Sequence, residues 1–542
     1  MPGRDCVSQA RKFACAAIPA VAIAGVLYDQ LFIATSYNSI AGSLGVSSEQ
    51  CAVLLSIYFV FVGSLMMMWG RFAQVVGAPR LLVGGVVGLA VGEAFSFVPG
   101  GLPVLMIARM ITATAAAAII PCCFTIVSET FETAKGRNAA FAGLAAMTGL
   151  GGVLGSLSGA LFGSSPAWRV AWALPAIVLA IAILLLQRFL PEIPAGLSWV
   201  EFDAVSCGLV SVGLLAFTTV LAEGGQIGWI KAASSISIGP VHMASGLPVV
   251  PVLVATFVVA FSLLGFRQQR RAHKGETILL GRGLLRIHRF RNGVAILALF
   301  SLTSSGIIGA LPLFQAYAFG TTALRIGLHA VMVSVGITVG GFSVAPLARR
   351  LSHRMIISCA IILQVASVVS MAALPLNRAP SNTYLISFLI FGLSVGLGLG
   401  SLNNVMLADV HDGDLLSASS FSQTAANLAS GLAVTTATFV YVSTGDAMNR
   451  LDRSGLSESQ RSALDQVTHL RQPTVDGLGS TTQAKVTLSG VLHDSNLQSL
   501  QHQITNVVLK QFTLLIVLSI GLSCISLVLA WRMGRQPAPA GD

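Results

Sequence analysis

The chain has 542 residues, of which 54% are hydrophobic and only 10% charged, with a formal net charge of +11. A soluble domain carries about 25% charged residues, so a water-covered globule of this size is excluded and lipid must cover much of the surface. The basic excess lies in short loops between apolar runs, which fits membrane orientation and argues against a nucleic-acid groove.

A spanning helix needs about 20 mostly apolar residues. In chain order, fourteen stretches meet that need: 12–36, 50–69, 80–99, 102–126, 139–163, 167–188, 201–222, 246–266, 292–318, 325–347, 354–374, 383–408, 416–443 and 510–531. The basic start, Met1 to Lys12, leads into the first run without a small-x-small cleavage site, so that run is expected to stay as a helix. The fold class expected is an all-α membrane protein.

Basic residues set the orientation. With the N-terminus in the cytoplasm, inner segments hold Arg4, Arg11, Lys12, Arg71, Arg80, Lys135, Arg137, Arg188, the run from Arg267 to Arg291, Arg349, Arg350, Arg354, Arg532 and Arg535. The short outer loops hold Arg169, Lys231, Arg325 and Arg378. Both termini are therefore expected in the cytoplasm, in a cell membrane that would be a bacterial inner membrane.

Four regions follow: a six-helix half at 1–188, two extra helices within 189–266, a basic cytoplasmic connection at 267–291, and a second six-helix half at 292–542. The second half carries a long outer loop at 444–509. Leu488, Val491, Leu492, Leu497, Leu500, Ile504, Val507 and Val508 follow 3–4 spacing there, which predicts an amphipathic helix. That helix would lie on the protein's own outer face or dock a periplasmic adaptor protein.

No cofactor or metal is expected. The chain has no G-x-x-x-x-G-K-[ST] phosphate loop, and Leu154 stands where a dinucleotide fingerprint starting at Gly149 and Gly151 needs its third glycine. The cysteines form no C-x-x-C pair. His411, Asp412 and Asp414 cluster on an inner loop and read as a solvated turn. An enzyme is not expected.

Charges inside spans are costly and usually functional. Asp29, Glu93 and Arg109 each lie six or seven residues from the outer end of their span. At 1.5 Å per residue that is roughly 10 Å below the outer surface, so the three are expected to form one proton-coupling cluster. The alternative is a static ion pair that orders helices. Gly151, Gly155 and Gly159, like Gly392, Gly396 and Gly400, repeat every four residues, a spacing that lets helices approach closely. Asn38, Tyr58, Gln315, Asn403, Asn404, Gln423 and Asn427 are candidate substrate contacts or interhelical polar contacts.

Several stretches resemble motifs of the fourteen-helix drug:proton antiporter branch of the major facilitator superfamily (EmrB/QacA-like). Asp29 to Ile40 resembles the first-helix motif D-x-T-x-x-N-x-A-L-P-x-I, with Ala34 and Asn38 at its Asn and Pro. Gly70 to Arg80 resembles the loop G-x-L-a-D-r-x-G-r-r, keeping Gly70, Gly77 and Arg80 but carrying Gln74 for the acid. Arg109 matches the start of R-x-x-Q-G, followed by Thr112 and Ala113. Gly155-Ser156 to Gly159 resembles the antiporter motif without its proline. Trp168 to Pro175, Phe202-Asp203, Gly224 to Trp229, Pro312 to Phe314 and Ala345 to Arg350 are similar to later segments.

The resemblance covers nearly the whole chain. It implies the major facilitator fold, with two six-helix halves plus two central extra helices, and proton-coupled efflux of small amphipathic organic compounds. It also implies gating roles for Gly70, Gly77, Arg80, Gly151, Gly155 and Gly159. The expected partners are a small-molecule substrate, protons and membrane lipid, with no nucleic acid. The altered motifs raise an alternative, a dedicated exporter of one metabolite or siderophore-like compound. A transport-inactive membrane interaction protein is the alternative of another class.

Overall fold

The structure is a computed structural model that describes residues 9–532 apart from 47, 132, 164, 191–192, 194–198, 200, 228–235, 239–240, 244–248, 275, 277–283, 320–322, 374–380, 411–414 and 450–497. Fourteen α-helices lie among these residues. They are α1 (Gln9–Leu44), α2 (Ser48–Val76), α3 (Ala78–Ala94), α4 (Gly101–Thr130), α5 (Ala134–Phe162), α6 (Trp168–Leu186) and α7 (Ala204–Ile227). They continue as α8 (Val249–His273), α9 (His288–Phe319), α10 (Ala323–Ala348), α11 (His353–Ala373), α12 (Ser381–Leu407), α13 (Leu415–Asn449) and α14 (Gln498–Arg532). Between α7 and α8 sits a small antiparallel hairpin of β1 (Ile236–Ile238) and β2 (Val241–Met243), with Ser237 opposite His242.

Eleven helices contain stretches long and apolar enough to cross a membrane: α1 to α6 and α8 to α12. In α7 and α14 the apolar stretches are shorter, Ala204–Val220 and Ile516–Arg532. Helices satisfy every backbone polar group internally, which is why this composition folds as helices in lipid. Apolar side chains face outward, including Val170, Leu174, Val178 and Ile181 on α6 and Val252, Val258, Val259 and Leu263 on α8. Hydroxyls lie inside, with Ser36, Ser64, Ser156, Ser394, Ser401 and Ser422 fully buried.

Helix ends follow local chemistry. Gly77 has φ 96°, a left-handed conformation that costs a side-chain-bearing residue strain, and Pro79 follows at the start of α3. The expected third span ran to 99. The helix instead ends at Ala94, and a 3-10 turn at Phe95–Phe97 leads to Gly100 and Gly101, both at positive φ. The eighth helix runs past the expected 266 to His273, so Arg267, Arg270 and Arg271 belong to a helix end and not to a loop. Cations there complement the helix dipole. The last helix begins at Gln498, twelve residues before the expected 510, and so takes in Leu500, Ile504, Val507 and Val508. The remainder of the amphipathic pattern, and the loop at His411, Asp412 and Asp414, lie outside the described residues.

The first six helices pack around α1 and α4, and the last six around α9, α10 and α12. The two groups meet where α5 packs on α10 and α12, and where α2 and α4 pack on α13. Helix α7 lies against α8 and also against both α2 and α13, so it covers the seam between the groups. There Met67, Cys207, Val210 and Leu214 form an apolar core with Phe421 and Leu428 beside it, and Ser64 hydrogen-bonds Thr218 at 3.2 Å.

At one end of this helix pair, Asp203 caps α7 and binds α8. It accepts from the Ser206 amide at 3.1 Å and from Arg267 Nη2 at 2.8 Å, and Arg271 lies 3.4 Å away. Burial pushes the Asp203 carboxyl up, but the hydrogen bonds from Arg267 and Ser206 outweigh it and hold the group at about 2.

Candidate functional site

The three charges of the first half meet in one buried region. Asp29 on α1 and Arg109 on α4 are both fully buried, and Arg109 Nη1 donates to Asp29 Oδ1 at 2.7 Å and Oδ2 at 2.6 Å. Arg109 Nε donates to the Leu54 carbonyl of α2 at 3.1 Å. The guanidinium carbon lies 4.2 Å from the centre of the Tyr58 ring, a cation–π contact that strengthens away from water. Thr112, at the position where the resembling motif has Gln, donates to the Arg109 carbonyl at 3.1 Å.

Trp172 on α6 completes the pair. Its Nε1 donates to Asp29 Oδ1 at 2.9 Å, and its ring stacks on Phe32 with centroids 6.4 Å apart. Tyr28 donates to the Ala171 carbonyl at 2.5 Å, tying α1 to the same turn of α6. The Asp29 carboxylate is thus held from α4 and α6. Such a pair is not a source of net stability by itself, but removing one partner strands a buried charge.

Glu93 on α3 is also fully buried. It interacts electrostatically with Asp29 and Arg109. Neither Glu93 carboxyl oxygen has a hydrogen-bond partner among the described residues, and the same is true of Arg109 Nη2 and the Tyr58 hydroxyl. The cluster therefore contains one ion pair and, among the described residues, unpartnered polar atoms on Glu93, Arg109 and Tyr58.

The other candidates divide by place. Gly70 lies where α2 meets α13, and a Cβ there would fall on the Ser420 side chain. Four residues on, buried Gln74 donates to Ser417 Oγ of α13 at 3.1 Å and accepts from Arg71 Nη1 at 2.7 Å. A neutral amide therefore bridges the two groups of helices at the position of the motif's acid. Gly77 forms the turn into α3, and Arg80 is exposed at the start of that helix.

The glycine stripe of α5 faces α1. Cβ atoms at Gly151, Gly155 and Gly159 would fall on the backbones of Ala24, Tyr28 and Phe32. A different face of α5, with Gly149 and Gly152, meets Thr338 and Ser334 of α10. In the second half, Gly392 and Gly396 sit against the backbones of Val333 and Ile337 in the same manner, and Gly400 lies against Val344.

Asn403, Gln423 and Asn427 form a neutral chain. Gln423 Nε2 donates to Asn403 Oδ1 at 3.1 Å, and Asn427 Nδ2 donates to the Gln423 carbonyl at 2.8 Å. Asn404 joins the two groups of helices: its Nδ2 donates to Asn138 of α5 and lies 3.1 Å from His353 Nε2 of α11. The side chains of Asn38 and Gln315 lie outside the described residues. A groove of about 460 Å³ opens between α2, α3 and α4, lined by Trp69, Leu81, Gly88, Met110, Ile111 and Ala115 among others. None of the candidate substrate contacts lines it.

Sequence reasoning missed several of these residues. Trp172 stands within a stretch quoted for its resemblance and carried no role there, since an indole in an apolar run gives no sign of a buried acceptor. Ser417, Asn138 and His353 act across helices distant in sequence, and single small polar residues have no periodic signal. Only the altered Gln74 pointed toward one of them.

The sequence profile of the Major Facilitator Superfamily matches residues 18–434. The chain is similar to the probable actinorhodin transporter of Streptomyces coelicolor, 26% identical over 367 residues, covering 65% of this chain and 59% of that one. It therefore spans less than two thirds of that relative's length. It is also similar to the multidrug efflux pump LfrA of Mycolicibacterium smegmatis, 25% identical over 84% of this chain and 85% of that one. The puromycin resistance protein pur8 of Streptomyces alboniger is 26% identical over 70% of each chain.

Two solved structures share the fold. The human organic anion transporter MFSD10 aligns with a TM-score of 0.53 at 13% identity, covering 94% of this chain and all of that one. A bacterial homologue of the human lysosomal transporter Spinster, inward-facing and unoccupied, aligns at 0.55 and 12% identity, covering 98% of this chain and all of that one. The chain belongs to the major facilitator superfamily.

Proposed function

From that membership, we propose that the protein exports a small, partly apolar organic compound in exchange for protons. The observation that carries this reading is the fully buried Asp29–Arg109 pair, held by Trp172 and Tyr58. A proton reaching Asp29 removes the negative charge that holds Arg109. The guanidinium must then find another acceptor or the helices must move, which is how a local charge change biases a two-state bundle. The family resemblance and the multidrug efflux pump among its relatives support this direction of transport.

Gly70, Gly77 and Arg80 would gate at the junction of α2, α3 and α13, while Gly151, Gly155 and Gly159 let α1 and α5 slide as the two groups rock. Asn403, Gln423 and Asn427 would offer the substrate neutral hydrogen bonds on an otherwise apolar path. The placement expected is a cell membrane with both termini in the cytoplasm, and the halves divide at 1–188 and 292–542.

One observation favours a narrower reading, a dedicated exporter of one metabolite. Gln74 replaces the acid of the gating loop and bonds Ser417 directly, so the gate here has diverged from the resembling pattern, and the substrate need not follow it.

The test is transport in liposomes holding the purified full-length chain under an imposed pH gradient. Ethidium serves as a general cationic probe, with puromycin and an actinorhodin-type polyketide as specific ones. Gradient-dependent movement of at least one probe, lost in Asp29→Asn and Arg109→Ala, is expected. Unchanged pH dependence in both variants would sink the reading.

A further inference from the structure

We propose that Glu93 is a second proton-carrying carboxyl group of this site, and that it and Asp29 share Arg109 as their single counter-ion. The inference rests on the proton-coupled reading above, and it assigns the transported proton a second holder.

The physical argument begins with charge. An ionised carboxylate buried without partners costs many kcal/mol, and such groups neutralise instead. Glu93 is fully buried and both of its oxygens lack partners among the described residues. The groups that face it or share its electrostatic field are Tyr28 and Asp29 from α1, Tyr58 from α2 and Arg109 from α4. From α6, Arg169 reaches the adjoining turn, where its Nε donates to the Ser96 carbonyl at 3.0 Å. Of the two cationic groups, Arg109 is committed to Asp29 through Nη1, and Arg169 is occupied at that backbone oxygen. In this arrangement Glu93 is the neutral acid and Asp29 the anion.

Arg109 Nη2 has no partner among the described residues. One edge of the guanidinium is therefore available to a second carboxylate. When Asp29 takes a proton, its O–H bond forms and the charge that held Nη1 is lost. Glu93 then gives up its proton, its O–H bond breaks, and Arg109 pairs with the new carboxylate. The two transfers are coupled: one proton arrives and one departs, Arg109 keeps all of its own, and the buried site holds one positive and one negative charge before and after. An unchanged net charge is what makes the exchange affordable in a medium where an unpaired ion is so costly. Two carboxyl groups sharing one charge titrate as a pair.

Infrared difference spectroscopy of the purified protein tests this without any substrate. The wild type at neutral pH should show the C=O band of a neutral carboxyl group. Labelling glutamate side chains with 13C should shift that band, and Glu93→Gln should remove it. Asp29→Asn should also remove it, because Glu93 is then the only counter-ion left to Arg109 and must ionise. A wild type lacking any label-sensitive neutral carboxyl band overturns the proposal even if every variant misfolds, since it needs no mutation. A band that persists in correctly folded Asp29→Asn overturns the sharing of Arg109. Loss of gradient-driven transport in the wild type itself would defeat the proton-coupled reading while leaving the band in place, so the two failures are distinguishable.

Discussion

The first six helices and the last six solve burial of polarity differently. The first group encloses charge: Asp29, Arg109 and Glu93, with an indole and a phenol around them. The described part of the last group encloses amides and hydroxyls, with the His353 ring beside Asn404. Gln364 donates to Ser304 at 2.7 Å, and Gln423 donates to Asn403 at 3.1 Å. A charge cluster responds to a proton by losing its internal balance, whereas an amide network is indifferent to pH. Where two groups of helices differ in this way, a change of pH acts first on the charged one.

The largest effect should come from breaking the charged side. Arg109→Leu leaves Asp29 buried without its counter-ion and should lower stability by about 3–5 kcal/mol. Thermal unfolding in detergent reads the loss, and adding Asp29→Asn should restore much of it. No rescue by the second change would mean that the two side chains do not act as a pair.

Glycine packing should erase the difference between the groups. Gly155→Leu and Gly392→Leu each drive a side chain into a neighbouring backbone, at Tyr28 and at Val333. Overpacking of this kind costs about 1–3 kcal/mol, so the two variants should unfold at similarly lowered temperatures. A large disparity would show that one stripe tolerates separation of its helices.

A smaller effect is expected on the neutral side. Gln364→Leu removes the bond to Ser304 and a 3.5 Å contact with Thr303. Membrane hydrogen bonds are worth about 0.6 kcal/mol on average, and the loss should be the same at every pH between 5 and 8. A pH-dependent loss would place an ionisable group in the second network.

The smallest effect lies at the hairpin of α7 and α8. The folded Asp203 carboxyl, at about 2, titrates below its ordinary 3.8. Its contribution is therefore complete above about pH 4 and is lost as the pH falls toward 2. Arg267 is well exposed, so solvent screening keeps the contribution under about 1 kcal/mol. Asp203→Asn should lower stability at neutral pH by that amount, under about 1 kcal/mol, and flatten acid destabilisation in that window. An undiminished acid transition would assign it to other carboxyl groups.

How much of this was legible follows from range. Apolar runs report on their own residues, so the helices were readable from composition, with errors where basic or polar residues continue a helix, as at Arg267 to His273 and at Gln498 onward. The meeting of Asp29, Glu93 and Arg109 was readable because each charge announces itself in an apolar run and the three share one depth. What the pattern could not supply was the partner of each. Trp172 binds Asp29 across 143 residues, and Gln74 meets Ser417 across 343. Those pairings depend on how α6 and α13 are rotated, and rotation is decided by packing of the whole bundle. The same limit hid the position of α7, whose sequence says that it is apolar and nothing about the seam it covers.

The indole that binds Asp29 has an optical consequence. Trp172 is fully buried and hydrogen-bonded to a charged acceptor, and its emission energy depends on the field along the ring. Neutralising that acceptor changes the field at once. The protein thus carries a chromophore wired to the charge of Asp29, readable as a shift in emission when that group is neutralised. Trp168, with its ring centre 6.3 Å away, is close enough to share the excitation.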